Sequence, residues 1–448
     1  MSATRYFPGP RNRLLTTYRV LRYPFTFCPR WETQYGDPVL LPCVNGDIVL
    51  TGRADLIQQI FSASPENYGV FGTEAMAPLV GPNSLLTMEG EHHRRDRKLL
   101  MPPFHGQRMR TYAETIQHIS RQHFDRATAR GETDVMTVAQ AITLEVILRT
   151  VMGVDDPEEL EDLAKALVEI IDAAHPAFLF APFLQREFGG FGPWADFVRK
   201  RAHGDALLDQ RIGAARQKNS GDDILSLMVN SCYDDGAPMS DAAIKDELCT
   251  MLVAGHETTA ITLAFAVDYV FRNTAELDRI SADAEGAAGD PSQQAKLVSI
   301  RGVIRETLRL RPVLTESLRK LNRPVTLDGV ELPAGVVLAA SAVLAHNNPD
   351  VYPEPQEFRP TRFEGRAFSP FEYLPFGGGH RRCIGAAFAE MELQIALATL
   401  LAEYEVELLA PLAKPVRRNV TIAPAGNVPI RIHKRKSRAA PGFGRQIA

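Results

Sequence analysis

Phe376-Gly377-Gly378-Gly379-His380-Arg381-Arg382-Cys383-Ile384-Gly385 is the stretch on which the reading of the chain turns. Three consecutive glycines let a backbone run close against a flat group or adopt dihedral angles closed to other residues. Residues 386–404 are apolar and free of proline, so Cys383 stands at the start of a helix. Unpaired amides and the positive helix end favour a thiolate there, and Arg381 and Arg382 add positive charge beside it. A thiolate held in this way is a nucleophile or a soft iron ligand. A buried free cysteine in a glycine turn is the plain alternative.

Working upstream, residues 241–272 form a periodic segment without proline, long enough for one helix of about 48 Å at 1.5 Å per residue. Ser240 suits its N-cap and Asp241 its positive start. A second helix is expected over 294–311, with Leu297, Ile300, Ile304 and Leu308 spaced for one buried stripe. After Pro312 the texture changes to short strands at 325–327, 329–332 and 336–340, then to a proline-rich irregular stretch over 347–375. Near the start, residues 38–51 read as a β-hairpin in which Asn45-Gly46 supplies the positive φ angles of a tight turn. The intervening residues 54–240 are mainly helical in pattern.

Composition sets limits. The 448 residues are 45% hydrophobic and 23% charged, the ordinary globular range, which excludes a fibrous or largely disordered chain. The 50 Lys+Arg against 54 Asp+Glu argue against a dedicated nucleic-acid binder. Cysteines at 28, 43, 232, 249 and 383 show no C-x-x-C spacing, which removes zinc ribbons and thioredoxin-like motifs. A sparse, odd set fits a reducing compartment. The sequence shows no secretory h-region and no run of about 20 apolar residues for a membrane span. The expectation is a soluble, cytoplasmic protein with no internal repeat and no linker between two cores. It is a single domain over 1–448, with an N-terminal extension at 1–20 and a flexible basic tail at 433–448.

Phe376, Gly379, Arg381, Cys383 and Gly385 match the F-x-x-G-x-R-x-C-x-G haem-binding loop of the cytochrome P450 family, and the chain resembles that family over nearly its whole length. Glu306-Thr307-Leu308-Arg309 resembles the family's E-x-x-R, and Phe358-Arg359-Pro360-Thr361-Arg362-Phe363 its next signature. The resemblance implies that Arg362 joins Glu306 and Arg309 in a structural charged triad supporting the cysteine loop. Without it, an i,i+3 pair of this kind is most often a solvated surface contact. Ala254-Gly255-His256-Glu257-Thr258-Thr259 resembles the oxygen-activation segment. By itself a glycine with hydroxyls in a helix suggests only a bend or hydroxyl-to-carbonyl bonding.

The resemblance implies a mainly α, triangular haem domain with a small β-rich side, and haem b as cofactor. Cys383 would be the axial iron ligand. Thr258 would hold the water that delivers protons to oxygen, and Glu257 would gate their entry. His256 reads as a packing residue. Phe376 and Gly379 would shape the haem loop, and Arg381 would meet a propionate. His93 and Arg97, at i,i+4, and Arg319 would be further propionate partners, with His92 open as an alternative to His93. A solvated surface charge is the plain reading of each of these cations.

The implied activity is monooxygenation of an apolar organic substrate such as a terpenoid, steroid or fatty acyl chain. The sequence carries no flavin or iron–sulfur segment, so electrons would come from a ferredoxin or flavodoxin with its reductase. Arg94, Arg95, Lys98, Arg108, Arg110 and Arg382 would offer that partner a basic face. The protein is expected to be a monomer. The aromatic stretch 175–198 (Phe178, Phe180, Phe183, Phe188, Phe191, Trp194 and Phe197) has three readings: roof of a substrate pocket, core packing, or membrane-surface contact. A peroxide-using or rearranging relative and a non-catalytic haem carrier are the alternatives, and the Glu257-Thr258 pair speaks against both. A cysteine hydrolase lacks a partner histidine signature.

Overall fold

The computed structural model describes residues 6–104, 108–174, 178, 184–186, 189–218 and 221–435. Its axis is the helix Asp241–Val270, whose N-cap Ser240 accepts a hydrogen bond from the Ala243 amide, as the sequence leads one to expect. From Thr259 to Val270 every residue is buried. A helix apolar on all sides belongs inside a core. Leu263, Phe265 and Val267 are at most 2% exposed, and full burial of such a side chain stabilises by roughly 1.5–3 kcal/mol. This helix is long and apolar enough to cross a membrane, which corrects the expectation that no such stretch exists. Yet 67% of its most apolar window is buried inside the protein. It is a core helix, and its polar first turns are held by other parts of the chain.

Around it pack the helices Val135–Val146, Pro193–Lys218, Val298–Leu310 and Ala386–Glu403. The second predicted helix begins at Val298 rather than 294, because Pro291–Gln294 forms a separate short turn capped by Asp290. Of its predicted stripe Ile300, Ile304 and Leu308 are buried, while Leu297 stands half-buried at the N-cap position before the helix.

To one side lies a five-stranded sheet in the order Val39–Cys43, Gly46–Thr51, Val337–Ser341, Glu316–Leu321, Tyr68–Gly69. Only the contact between Gly46–Thr51 and Val337–Ser341 is parallel. The predicted hairpin is its first pair, but the turn residues are Val44 and Asn45, and of the expected positive φ angles only that of Gly46 (126°) is found. Small hairpins join Val325–Leu327 to Val330–Leu332 and Pro415–Arg418 to Thr421–Pro424.

Both chain ends are more structured than expected. The extension at 1–20 contains most of the helix Arg13–Arg22, and Arg13 donates to Asp47 at 2.8 Å. His433 and Lys434 are not tail but the end of the strand Pro429–Lys434, paired with Glu405 and Tyr404, because alternating Ile430 and Ile432 bury one face. The basic residues beyond 435 lie outside the described part.

The triad is present. Glu306 and Arg309 are fully buried, with Arg309 Nε and Nη2 donating to the two carboxylate oxygens at 2.7 and 2.8 Å. Arg362 Nε and the Arg359 amide donate to Glu306 Oε1 at 3.1 and 2.9 Å. The remaining Arg309 protons go to the carbonyls of His346, Pro355 and Glu357. His346 then receives the Leu374 amide on Nε2 at 2.8 Å, two residues before the cysteine loop. Breaking a buried pair leaves an uncompensated charge, at a cost of about 3–5 kcal/mol. Glu306→Ala or Arg309→Ala is therefore expected to lower unfolding free energy by that amount in denaturant titration. A loss under about 1 kcal/mol would show that the pair is not what fixes this region.

Candidate haem site

The cysteine loop folds back on itself. The Cys383 amide donates to the Phe376 carbonyl at 2.9 Å, and Gly377 and Gly379 hold φ of 62° and 65°. The flat group that the glycines accommodate is Phe61, at the end of the helix Ala54–Ser62. A Cβ on Gly378 would stand 2.1 Å from its ring, and one on Gly379 would stand 2.4 Å from its carbonyl oxygen. Phe376 packs half-buried against the main core. Gly385 is the N-cap of the helix Ala386–Glu403, which places Cys383 just before its positive end, as expected.

Cys383 is exposed to a groove of about 500 Å³ that Arg97, Phe376, Gly377 and Arg382 also line. The groove walls still desolvate the thiol and push its pKa up, while the Gly385 amide, Arg97 and Arg382 pull it down. Burial wins. The expectation that helix end and arginines alone would keep a thiolate here is thus corrected, and Arg97 takes the place of Arg381 beside the sulfur. A bound metal ion deprotonates a coordinating thiol outright.

Around the loop the expected cations converge. His93 is buried and faces Arg97, Arg381, Arg319 and His380, its ring 6.2 Å from that of His380 at 86°. His92 is exposed, so of the two histidines only His93 joins the cluster. Burial, then the nearby arginines, lowers His93 to about 3 and His380 to about 4, so both rings are neutral near pH 7. Arg97 Nη2 donates to the Arg382 carbonyl at 2.6 Å, and Arg319 Nη2 to the Gly378 carbonyl at 2.9 Å. Arg381 Nη1 donates to the Leu85 carbonyl at 2.9 Å and Nη2 to that of Met88. Burial pulls Arg381 down to about 10, with Arg319 and Arg97 adding to the effect and Glu89 opposing it.

Among the described residues none of Arg97, Arg319 and Arg381 forms an ion pair. Three half-buried to buried guanidiniums held by backbone carbonyls, without a carboxylate, are electrostatically incomplete. A dianionic planar group bound at the thiol would complete them. The donor set fits haem: one sulfur for iron and three guanidiniums for two propionates.

On the central helix Thr258 Oγ1 donates to the Ala254 carbonyl at 2.6 Å, so the plain back-bonded geometry also occurs. Glu257 does not touch Thr258. Its carboxylate lies 3.4 Å from Nε of Arg418, on the strand Pro415–Arg418, and burial raises its pKa while Arg418 lowers it. His256 is a buried packing residue whose Nδ1 lies 2.9 Å from the Thr143 hydroxyl. Sequence reasoning missed Arg418; an arginine in a late hairpin carries no local signal.

The expected basic face is only partly free. Arg94 pairs with Glu91 at 3.1 Å and Lys98 with Asp234 at 2.7 Å; Arg95 lies 3.6 Å from Asp96 and over the Tyr233 ring. Arg110 and Arg382 form no ion pair among the described residues, and the Arg108 side chain lies outside them. Of the aromatic stretch, His175, Phe180, Phe183 and Phe188 lie outside the described residues. Phe178, Trp194 and Phe197 pack on one another at 5.2 and 5.1 Å between ring centroids, and Phe191 is 79% exposed.

The chain is similar in sequence and fold to known proteins. A family profile described as cytochrome P450 matches residues 9–423. Cytochrome P450 135A1 of Mycobacterium tuberculosis is 32% identical over 439 residues, 95% of this chain and 94% of that protein. Cytochrome P450 138 of Mycobacterium bovis is 34% identical over 366 residues, 81% of this chain and 80% of that protein. Cyanobacterial CYP120A1, solved with retinoic acid bound, shares the fold at a TM-score of 0.83 and 23% identity, over 96% of this chain and 99% of that one. The haem domain of cytochrome P450DA also reaches 0.83, at 20% identity, over 96% and 98%. Proteins of this family and fold use protoporphyrin IX haem, haem b. With 415 consecutive residues inside the profile (9–423) and relatives above 30% identity across most of their length, the chain belongs to the cytochrome P450 family of haem-thiolate monooxygenases.

Proposed function

We propose that the protein is a monooxygenase that inserts one atom of O₂ into an apolar organic substrate of the terpenoid, steroid or fatty-acyl type. In this reading it is a cytoplasmic monomer and a single haem domain, fed with electrons by a separate ferredoxin or flavodoxin and its reductase. The observation that carries the reading is the Cys383 thiol at a helix start, near half-buried to buried guanidiniums that form no ion pair among the described residues. Haem, when bound, supplies an iron that takes up O₂ and electrons. Cys383 would hold the iron through its sulfur. Arg97, Arg319 and Arg381 would hold the propionates, with neutral His93 offering a hydrogen bond from within the same cluster. Phe376 and Gly379 keep the loop in the shape that presents the sulfur.

The remaining work is proton traffic. Oxygen–oxygen scission consumes two protons, and a site that excludes water needs side chains to bring them. Glu257 suits the entrance: burial raises its pKa above the ordinary glutamate value, and Arg418 holds it at the edge of the central helix. Thr258 lies next in sequence; its half-buried hydroxyl donates to the Ala254 carbonyl and keeps its lone pairs to accept from a water. The substrate class rests on the apolar stretch 175–198. Phe178 and Phe197 are core residues there, which weakens the aromatic count as a measure of pocket size. Screening apolar compounds for a shift of the haem absorption band would identify the substrate class directly.

Cys383→Ser is expected to fold and bind some haem, but to lose the strongly red-shifted Soret band of the reduced CO complex. Retention of that band would remove Cys383 as the ligand. Thr258→Ala is expected to keep haem content, substrate binding and O₂ consumption while product formation per reducing equivalent falls and H₂O₂ release rises. General acid assistance is worth about 10²–10⁴-fold; water substitutes in part, so the fall is expected near the lower end. Unchanged coupling would favour the peroxide-using alternative, and lost haem would make Thr258 structural. Glu257→Gln tests the other half of the pair: slower proton delivery predicts an increased solvent isotope effect on turnover, and an unaltered one would take Glu257 out of the path.

A further inference from the structure

Residues 81–89 form a strap between the central helix and the cysteine loop, and the central helix grips it with three consecutive polar contacts. Asp246 Oδ2 accepts from the Asn83 amide and side chain at 3.0 and 2.9 Å. Glu247 Oε1 accepts from the Leu85 amide at 2.7 Å. The hydroxyls of Thr250 and Ser84 lie 2.6 Å apart. The approach is so close that a Cβ on Gly81, whose φ is +87°, would stand 2.0 Å from the Asp246 carboxylate. From its other side the strap offers the Leu85 and Met88 carbonyls to Arg381. The backbone of Leu85 thus joins Glu247 to Arg381 through its amide on one side and its carbonyl on the other.

Glu247 is 1% exposed, and its Oε2 has no hydrogen-bond partner. A carboxylate with an orphaned, fully buried oxygen is costly, whereas the protonated acid keeps the bond from Leu85 on Oε1 and places a neutral hydroxyl in the apolar space. The charged groups facing it add to that cost. Asp246 lies on its own helix and Asp96 faces it from the helix Gly90–Leu100. Arg201 lies 4.0 Å from Asp246, and Arg95 and Tyr233 lie against Asp96. Desolvation first, then the two aspartates, raises Glu247 to about 8, against the pull of the Leu85 amide.

We infer that Glu247 is a protonatable positioning residue: as a neutral acid it holds the strap in the shape that seats Arg381 at the haem site, and its ionisation loosens that seat. The inference rests on the reading of Arg381 as a haem contact. The sign follows from the raised value. The folded protein binds this proton more tightly than the unfolded chain, so the stabilisation is fully present below the ordinary glutamate range and is lost as pH rises through about 8. The protonated fraction of such a group falls about tenfold between about pH 7 and about pH 9.

The test uses the holoenzyme and two readouts that do not involve turnover: the rate of haem transfer to excess apomyoglobin, and the hydrogen-exchange protection factor of the Leu85 amide. Both are followed from about pH 6 to about pH 9.5. The wild type is expected to lose haem faster and to lose Leu85 protection with a shared midpoint near 8. Glu247→Gln keeps the acceptor without the proton and is expected to abolish the midpoint in both readouts while retaining haem at high pH. Glu247→Ala is expected to transfer haem rapidly at every pH. A wild type without a midpoint in Leu85 protection, or a midpoint that survives in Glu247→Gln, would overturn the inference. So would a protection midpoint with a flat rate of haem transfer. Arg381→Gln separates the two readings: unchanged haem retention in that variant would refute Arg381 as a haem contact, whereas faster transfer with inert Glu247 variants would refute the latch alone.

Discussion

The fully buried pair of Glu306 and Arg309 is the constraint on which the rest of the site depends. Taking two charges out of water costs several kcal/mol each, and only complete hydrogen bonding offsets that cost. Here the offset is complete in geometry: the carboxylate takes both prongs of Arg309, one prong of Arg362 and the Arg359 amide. The unused Arg309 protons reach three separate backbone carbonyls. One helix end, the irregular stretch after the sheet and the approach to the cysteine loop are thereby fixed to a common point. A stretch as rich in proline as 347–375 has little regular structure of its own, so this charge network stands in for a ladder of backbone bonds.

The cations around Cys383 show the opposite economy. Arg319 is buried and Arg97 and Arg381 half-buried, yet their protons go to neutral carbonyls; burial lowers the pKa of all three, and Arg319 and Arg97 lower that of Arg381 further. In the triad both guanidiniums meet a carboxylate inside the protein. At the cysteine loop three guanidiniums meet none among the described residues, and two propionates would offset most of their positive charge. Charge completeness, rather than burial, separates the residues that hold the fold from those that await a ligand.

How much of this was legible follows from the same distinction. The central helix, the cysteine loop and the last helix could be read because their signals are local: a capping serine, a glycine run, an uninterrupted apolar period. The triad could be read only through resemblance, since nothing in Glu306-Thr307-Leu308-Arg309 tells a buried fork from a surface pair. The start of the second helix was misplaced because Pro291 and Asp290 cap a separate turn, and the tail was misjudged because Ile430 and Ile432 pair with Leu408 and Val406 of an earlier strand. Arg418 and the strap were not legible at all. Their chemistry depends on contacts 161 residues apart for Arg418 to Glu257 and 162 apart for Glu247 to Leu85, and no local pattern encodes these.

The central helix also explains why proton chemistry and cofactor seating lie so near one another. Glu247, Thr250, Ala254 and Thr258 follow at intervals of three or four residues and therefore form one stripe. Asp246 and Glu257 are each one residue before a member of it, on the adjoining edge. At the upper end the stripe meets the strap that carries the carbonyls for Arg381; at the lower end it presents the Thr258 hydroxyl, with Glu257 held aside by the C-terminal hairpin. Because Leu248, Cys249, Leu252 and His256 anchor one side of the helix between these ends and every residue from Thr259 to Val270 is buried, it transmits position but little motion. A displacement of the strap therefore acts on the cysteine loop directly through Arg381, while the geometry at Thr258 stays fixed by the core beneath it.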